Sequence, residues 1–300
     1  DGVRDDAEPA RATATRKAAE IEMLDDEAGP PLEGNRPRGG TRVVKLQSIC
    51  PFQAFADLRL GARPLDSADL GLSALERGSA VHLALQLFWE QVCDHATLAA
   101  MTDADLRAAA EGTARGALER PFRDARQPFD VRFRELETRR LTDVLMRQAE
   151  FERTRAPFRV ASHERERLIE IGGLELEARI DRVDEFPDGR QAIIDYKTTA
   201  PSTAAWFGDR PDEPQLPLYA ISNDAPVAGV AFAAVGADGP AFRGYAAAED
   251  LLPGAKPFPR PAAEQLADWR RVLTPIAEAF RAGGAEVDPK SKAVCAQCGL

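Results

Sequence analysis

Asp181, Asp195 and Lys197 are the residues whose types and spacing most clearly invite chemistry. Asp195 and Lys197 stand two apart in Ile193-Ile194-Asp195-Tyr196-Lys197-Thr198, and Asp181 lies in Ile180-Asp181-Arg182-Val183-Asp184, on the other side of a Pro187-Asp188-Gly189 turn. Alternate residues of a strand share a face, so Asp195 and Lys197 point one way and Tyr196 the other. Asp-Gly is a hairpin signal, and folding the two segments back on each other brings Asp181 near Asp195. Two carboxylates hold a hard divalent cation through oxygen. A neighbouring ammonium orients an attacking water or stabilises the anionic transition state of phosphodiester hydrolysis. Ile193 and Ile194 read as a buried-strand run, which a solvated strand of Asp and Lys does not need.

Further candidates are less specific by themselves. His82 lies beside the apolar face of a helix, and spacing alone does not separate a ligand there from a structural histidine. Glu164 lies on the approach to the first strand, with Glu166 and Asp184 as neighbouring alternatives. Gln215 and Tyr219 are four apart and share a helix face. Cys295-Ala296-Gln297-Cys298 is a CxxC pair that suits zinc, redox or iron–sulfur chemistry. Cys50 stands far upstream, and Cys93, inside the His82 helix, reads as a small buried hydrophobe.

Taken together these stretches resemble the PD-(D/E)xK nuclease superfamily, with Asp181 as its first motif Asp and Asp195 and Lys197 as its D-x-K. Gly78-Ser79-Ala80-Val81-His82-Leu83-Ala84-Leu85 is similar to the G-x-x-x-H-x-x-L helix of RecB- and AddB-like nuclease domains, and Gln215-Leu216-Pro217-Leu218-Tyr219 to their Q-x-x-x-Y motif. The likeness runs from about Gly40 to the last residue, in the family's order. It departs at Ala178, where the family often has Gly. The resemblance implies Mg²⁺ or Mn²⁺ held by His82, Asp181, Asp195 and the Tyr196 carbonyl. It also implies Lys197 as catalytic group, Glu164 near the metal, and Gln215 and Tyr219 supporting the site and contacting DNA. Ser48-Ile49-Cys50-Pro51-Phe52 resembles the first cysteine of an AddB-type iron–sulfur staple. By that resemblance Cys50, Cys295 and Cys298 would hold a [4Fe–4S] cluster with a fourth cysteine expected beyond Leu300. The activity implied is a metal-dependent DNA exonuclease acting on single strands with a helicase partner in double-strand-break repair. The alternatives are a structure-specific endonuclease of the same superfamily and a catalytically silent DNA-binding scaffold. A zinc-binding module on three cysteines is incomplete.

The elements that must position these groups follow from pattern. Residues 1–40, rich in charge, Pro and Gly, read as a flexible lead-in from an upstream domain, with a short helix over 10–24. Residues 41–300 read as the nuclease domain. Ser48 to Leu60 reads as a helix with Pro51 near its first turn. Ser73-Ala74-Leu75-Glu76 is a capping box opening the His82 helix, whose inward face is Leu75, Val81, Leu85, Phe88, Trp89 and Val92. Thr102–Asp105 caps a third helix, and a long one spans 131–155. Gly172-Gly173 joins strands 165–171 and 174–183, and 191–197, 227–235 and 242–246 are further strands. A helical turn over 214–221 and an amphipathic helix over 262–281 complete an α/β, restriction-endonuclease-like fold, a mixed central sheet flanked by helices with a helical N-terminal half.

Composition sets the outer bounds. The 300-residue chain is 44% hydrophobic and carries a net charge of −10. It has no apolar run of the roughly 18 residues a membrane helix needs. Charge is unevenly spread: residues 1–35 hold ten acids against four bases, whereas 132–167 hold ten Arg against seven acids. That second stretch suits a DNA surface or a solvated, ion-paired helix equally. Few cysteines and a cluster site imply the cytoplasm.

Overall fold

The computed structural model describes residues 28–62, 72–124, 130–236, 239–296 and 298. The helix expected over 10–24 lies outside the described residues. Helices α1 (Arg42–Ile49), α2 (Pro51–Ala54), α3 (Ala74–Val92), α4 (His95–Ala100), α5 (Asp103–Asp124) and α6 (Val131–Glu152) precede the sheet. Strands β1 (Arg159–Ile171), β2 (Leu174–Glu185) and β3 (Gln191–Lys197) follow, then α7 (Gln215–Ile221), β4 (Val227–Ala234), β5 (Ala241–Ala246), β6 (Lys256–Pro257), α8 (Ala262–Ala282) and α9 (Lys292–Ala296). The six strands lie in sequence order in one sheet. β1, β2 and β3 are antiparallel neighbours, β3 and β4 run parallel across the α7 crossover, and β5 is antiparallel to β4. The expected mixed α/β architecture is therefore present.

Both predicted hairpins form for the predicted reason. Gly172 and Gly173 take φ of 56° and 74°, the positive pair that a tight two-residue turn requires. Between β2 and β3, Gly189 takes φ of 80° and donates its N–H to the Phe186 carbonyl at 2.9 Å. The alternation of β3 divides the core. Ala192, Ile194 and Tyr196 join the cluster under α3, α5 and α6. Ile193 joins Val230, Phe232 and the apolar faces of α1, α7 and α8 on the opposite side. Ile193 and Ile194 are both fully buried, each contributing about 1.5–3 kcal/mol of hydrophobic stabilisation. That burial fixes the register, because a one-residue slip would turn Asp195 to the other face.

Several elements differ from the sequence expectation. No continuous helix runs from Ser48 to Leu60. α1 starts at Arg42 and ends at Ile49, Cys50 is extended at ψ 113°, and Pro51 opens α2, which passes into a π-helical turn over Phe55–Arg59. Proline disfavours helical geometry in the residue before it, so the break falls at Cys50. The Ser73–Glu76 capping box closes at both contacts, with the Ser73 N–H donating to the Glu76 carboxylate at 2.7 Å. Burial in α3 begins only at Ala80, so Leu75, expected inside, is 79% exposed in the first turn. Cys93 is not a buried member of α3: it caps the helix with φ of 66° and is exposed. The chain leaves the helix there, and the Cys93 carbonyl accepts the Val160 N–H of β1 at 2.9 Å. The short α4, capped by Asp94, had no expectation and makes the Thr102–Asp105 box the start of α5.

Residues 28–36 pack onto the domain. The Gly29 N–H donates to the Gly283 carbonyl at 2.7 Å, and Asn35 and Arg36 reach Glu175 on β2. Among the described residues no helix is long and apolar enough to cross a membrane.

Candidate metal centre

Three chain-distant residues meet at the middle of β2. His82 comes from α3, Glu164 from β1 and Asp181 from β2. One ligand atom of each lies within 4.8 Å of the others, the only such group of His, Cys, Asp and Glu among the described residues. His82 Nδ1 lies 3.2 Å from Asp181 Oδ2 and 4.0 Å from Glu164 Oε1. Strand register sets Glu164 between His163 and Arg165, which pair with Arg182 and Ile180, and so opposite Asp181. Glu164 itself has φ of 45°, a backbone conformation uncommon outside glycine. The Asp181 carboxylate is fixed from β3, where the Tyr196 N–H donates to its Oδ2 at 2.7 Å. The Tyr196 ring faces the opposite side and meets the His82 ring edge-on, centroids 6.1 Å apart.

Asp195 and Lys197 stand beside this group as a pair. Lys197 Nζ lies 2.5 Å from Asp195 Oδ2, on the same face as the alternation predicts. Asp195 Oδ1 accepts a hydrogen bond from Gln215 Nε2 at 3.1 Å. Gln215 also donates to the Tyr219 hydroxyl at 2.8 Å, and that hydroxyl donates to the Arg179 carbonyl at 2.9 Å. The Gln215–Tyr219 face of α7 thus ties the D-x-K strand to β2 two residues before Asp181.

The site interleaves three carboxylates, Glu164, Asp181 and Asp195, with His82, Lys197 and Arg179. Burial, and next the charge of Asp181, push the Asp195 carboxyl up to about 7. Burial opposes a charged His82, but the Asp181 carboxylate beside it outweighs burial and raises its pKa. Burial likewise opposes the Lys197 ammonium, and Asp195 outweighs it, so the lysine stays charged. The His82 imidazole nitrogen and the Glu164 and Asp181 carboxylates, with Asp195 beside them, match the donor set of a divalent cation.

The chain's match to known families bears on the same residues. The profile of the PD-(D/E)XK nuclease superfamily matches residues 43–300. The chain belongs to that superfamily. No curated protein matches it. A PD-(D/E)XK nuclease is a metal-dependent hydrolase with DNA as its substrate class. A divalent cation, when bound, supplies an activated water and neutralises phosphate charge. In this nuclease fold His82, Glu164 and Asp181 are the groups placed to hold it. Lys197 and Asp195 stand alongside as an ion pair.

The alternatives to Glu164 separate clearly in this PD-(D/E)XK domain. Glu166 is exposed and pairs across the hairpin with Arg179, whereas Asp184 is fully buried elsewhere. Cys50 is buried at the α1–α2 break, Cys295 is exposed in α9 and Cys298 follows it. The tail runs beside the break, with the Lys290 N–H donating to the Ile49 carbonyl at 2.8 Å and Phe52 donating to the Glu286 carbonyl at 3.0 Å.

Directly behind the centre lies a charged network that sequence reading missed. Arg182, between Asp181 and Val183, donates from Nε to Asp184 Oδ1 at 2.6 Å and from Nη1 to Glu152 Oε1 at 2.9 Å and to the Tyr196 hydroxyl at 3.1 Å. Arg155 Nη1 donates to Glu152 Oε2 at 2.5 Å and lies 2.8 Å from Asp184 Oδ2. The Arg182 guanidinium stacks on Trp89 of α3 at 3.9 Å. All four charged side chains are fully buried. Arg155 and Glu152 therefore belong neither to a DNA surface nor to a solvated face, the two readings of the Arg-rich stretch. The available signal was the Arg182-x-Asp184 alternation, which puts both charges on the inner face of β2.

Proposed function

We propose that this domain is a Mg²⁺- or Mn²⁺-dependent deoxyribonuclease of RecB/AddB-like kind, an exonuclease that trims single strands delivered by a helicase partner during double-strand-break repair. The observation that carries the reading is the convergence of His82, Glu164 and Asp181 on one point, with the Asp195–Lys197 pair alongside. These residues come from four elements, one helix and three neighbouring strands. In this reading His82, Glu164, Asp181, Asp195 and the Tyr196 carbonyl hold the cation. Lys197 positions the attacking water or offsets charge developing on the phosphate, and Gln215 and Tyr219 keep Asp195 in place. The intact set argues against a silent DNA-binding scaffold.

Digestion of end-labelled linear single-stranded DNA beside a circular single strand, with Mg²⁺ and with chelator, tests the reading. The linear strand is expected to shorten from an end only with Mg²⁺ while the circle stays intact. Cleavage of the circle favours the structure-specific endonuclease. Cation binding without any cleavage favours the scaffold.

The second part of the proposal is a [4Fe–4S] cluster on Cys50, Cys295 and Cys298, with one thiolate from outside this set. The tail's hydrogen bonds beside the Cys50 break support it, since they hold the two ends of the domain together. Such a staple, with otherwise free thiols, fits a cytoplasmic protein. Anaerobic reconstitution with iron and sulfide is expected to give a brown protein only when a fourth cysteine beyond Leu300 is included, and Cys50→Ser in that protein to lose the colour without losing nuclease activity.

A further inference from the structure

Arg179 stands at the edge of the centre in a posture that its own packing does not explain. It lies on β2, two residues before Asp181, opposite Glu166 of β1. Its backbone is tied into the site, because its carbonyl accepts the Tyr219 hydroxyl that Gln215 also holds. Its side chain is 61% exposed, yet its Nε is committed to Glu164 Oε2. Glu164 Oε1 faces the opposite way, towards His82. Among the described residues its hydrogen bond and ion pair both run from Nε to Glu164, with the charges of Asp181 and Glu166 acting on the guanidinium as well. One edge of a planar guanidinium is thus fixed by a residue of the metal centre, and the other edge is presented to solvent beside it.

A solvated arginine normally loses rotamer freedom only for a weak surface ion pair. Here the same contact fixes the direction of the free edge. The guanidinium fork matches two phosphate oxygens, and a fork already oriented loses less entropy on binding. We infer that Arg179 is a phosphate-contact residue of this nuclease, held in place by Glu164 so that its Nη edge takes a phosphate of the DNA strand lying across the centre. The inference deepens the nuclease reading and rests on it.

The test measures strand binding rather than turnover. A short fluorescein-labelled oligothymidylate is titrated by anisotropy with Ca²⁺ in place of Mg²⁺, so that the strand stays whole, over a series of salt concentrations. Cation binding is measured in parallel by calorimetry. Arg179→Gln is expected to weaken strand binding about tenfold. It should also lower the slope of log K against log salt by roughly 0.7, the loss of one single-strand phosphate contact. Cation affinity should stay within a few-fold and the melting temperature should not change. Arg179→Lys should restore the salt slope but only part of the affinity, because a point charge replaces the fork. Unchanged strand affinity and slope in Arg179→Gln would overturn the inference. So would a loss that follows cation affinity alone, since Arg179 would then only orient Glu164. A wild-type protein that binds the strand but no cation overturns the nuclease reading, and a cation-binding protein with an unaltered Arg179→Gln strand isotherm overturns only this one.

Discussion

Lys197 is the residue whose role separates most cleanly from the fold. Its ammonium touches the Asp195 carboxylate and is more than a quarter exposed, so the core does not depend on it. Lys197→Ala should keep the melting temperature and most of the cation affinity, yet lower cleavage by about 10² or more, the scale of losing one transition-state donor. Single-turnover cleavage at saturating cation checks this, and near-normal rates would remove Lys197 from the mechanism. His82 differs, because it is one of the three gathered candidate ligands. His82→Ala should weaken cation binding in a calorimetric titration while leaving the sheet intact, because its contacts with the sheet are an edge-on ring contact with Tyr196 and the site carboxylates themselves. The residues of the centre were legible at this scale because motif spacing survives folding: Asp195 and Lys197 alternate, and Gln215 and Tyr219 sit one helical turn apart. Arg179 was not legible. An exposed arginine on a strand has no pattern of its own, and its meaning comes only from Glu164 across the hairpin.

At the scale of elements, the buried Arg182–Glu152–Arg155–Asp184 network joins α6 and β2, and the Tyr196 hydroxyl brings in β3. Breaking one partner of a buried pair leaves an uncompensated charge, at a cost of about 3–5 kcal/mol. Glu152→Gln should lower unfolding stability by that order in a denaturant titration. Tyr196→Phe, which leaves Arg182 its two carboxylate partners, should cost only about 1 kcal/mol. The network also sets an acid limit. Burial works to raise the Glu152 pKa, but Arg182 and Arg155 outweigh it and hold the carboxyl well below the ordinary value of 4.5. A depressed folded-state pKa means the unfolded chain binds the proton first as pH falls. The stability Glu152 supplies is therefore fully present above about pH 4.5 and is lost as pH falls below it. An acid titration of the melting temperature should show a shallower acid limb in Glu152→Gln. The strands and hairpins were readable from turn chemistry and alternation. The α1–α2 break was not, although Pro51 marked it, because the apolar pattern runs through Cys50 without interruption.

At the scale of the molecule, the sheet divides two hydrophobic clusters, one under the helical N-terminal half and one under α1, α7 and α8. The candidate metal centre sits where α3 meets β1 and β2, so each half contributes candidate ligands. Net charge of −10 gave no guide to this, since a total does not say which charges meet. The arginine-rich stretch misled for the same reason: composition does not tell buried charge from solvated charge, and Glu152 and Arg155 are buried. The account's central claim is that His82, Glu164 and Asp181 hold one cation. Anomalous diffraction from crystals soaked in Mn²⁺ tests it most directly. The account predicts a single strong peak at about 2.0–2.6 Å from His82 Nδ1 and from an oxygen each of Glu164 and Asp181, the range of oxygen-ligated divalent cations. A peak held elsewhere, or none at saturating Mn²⁺ with these three side chains ordered, would contradict it.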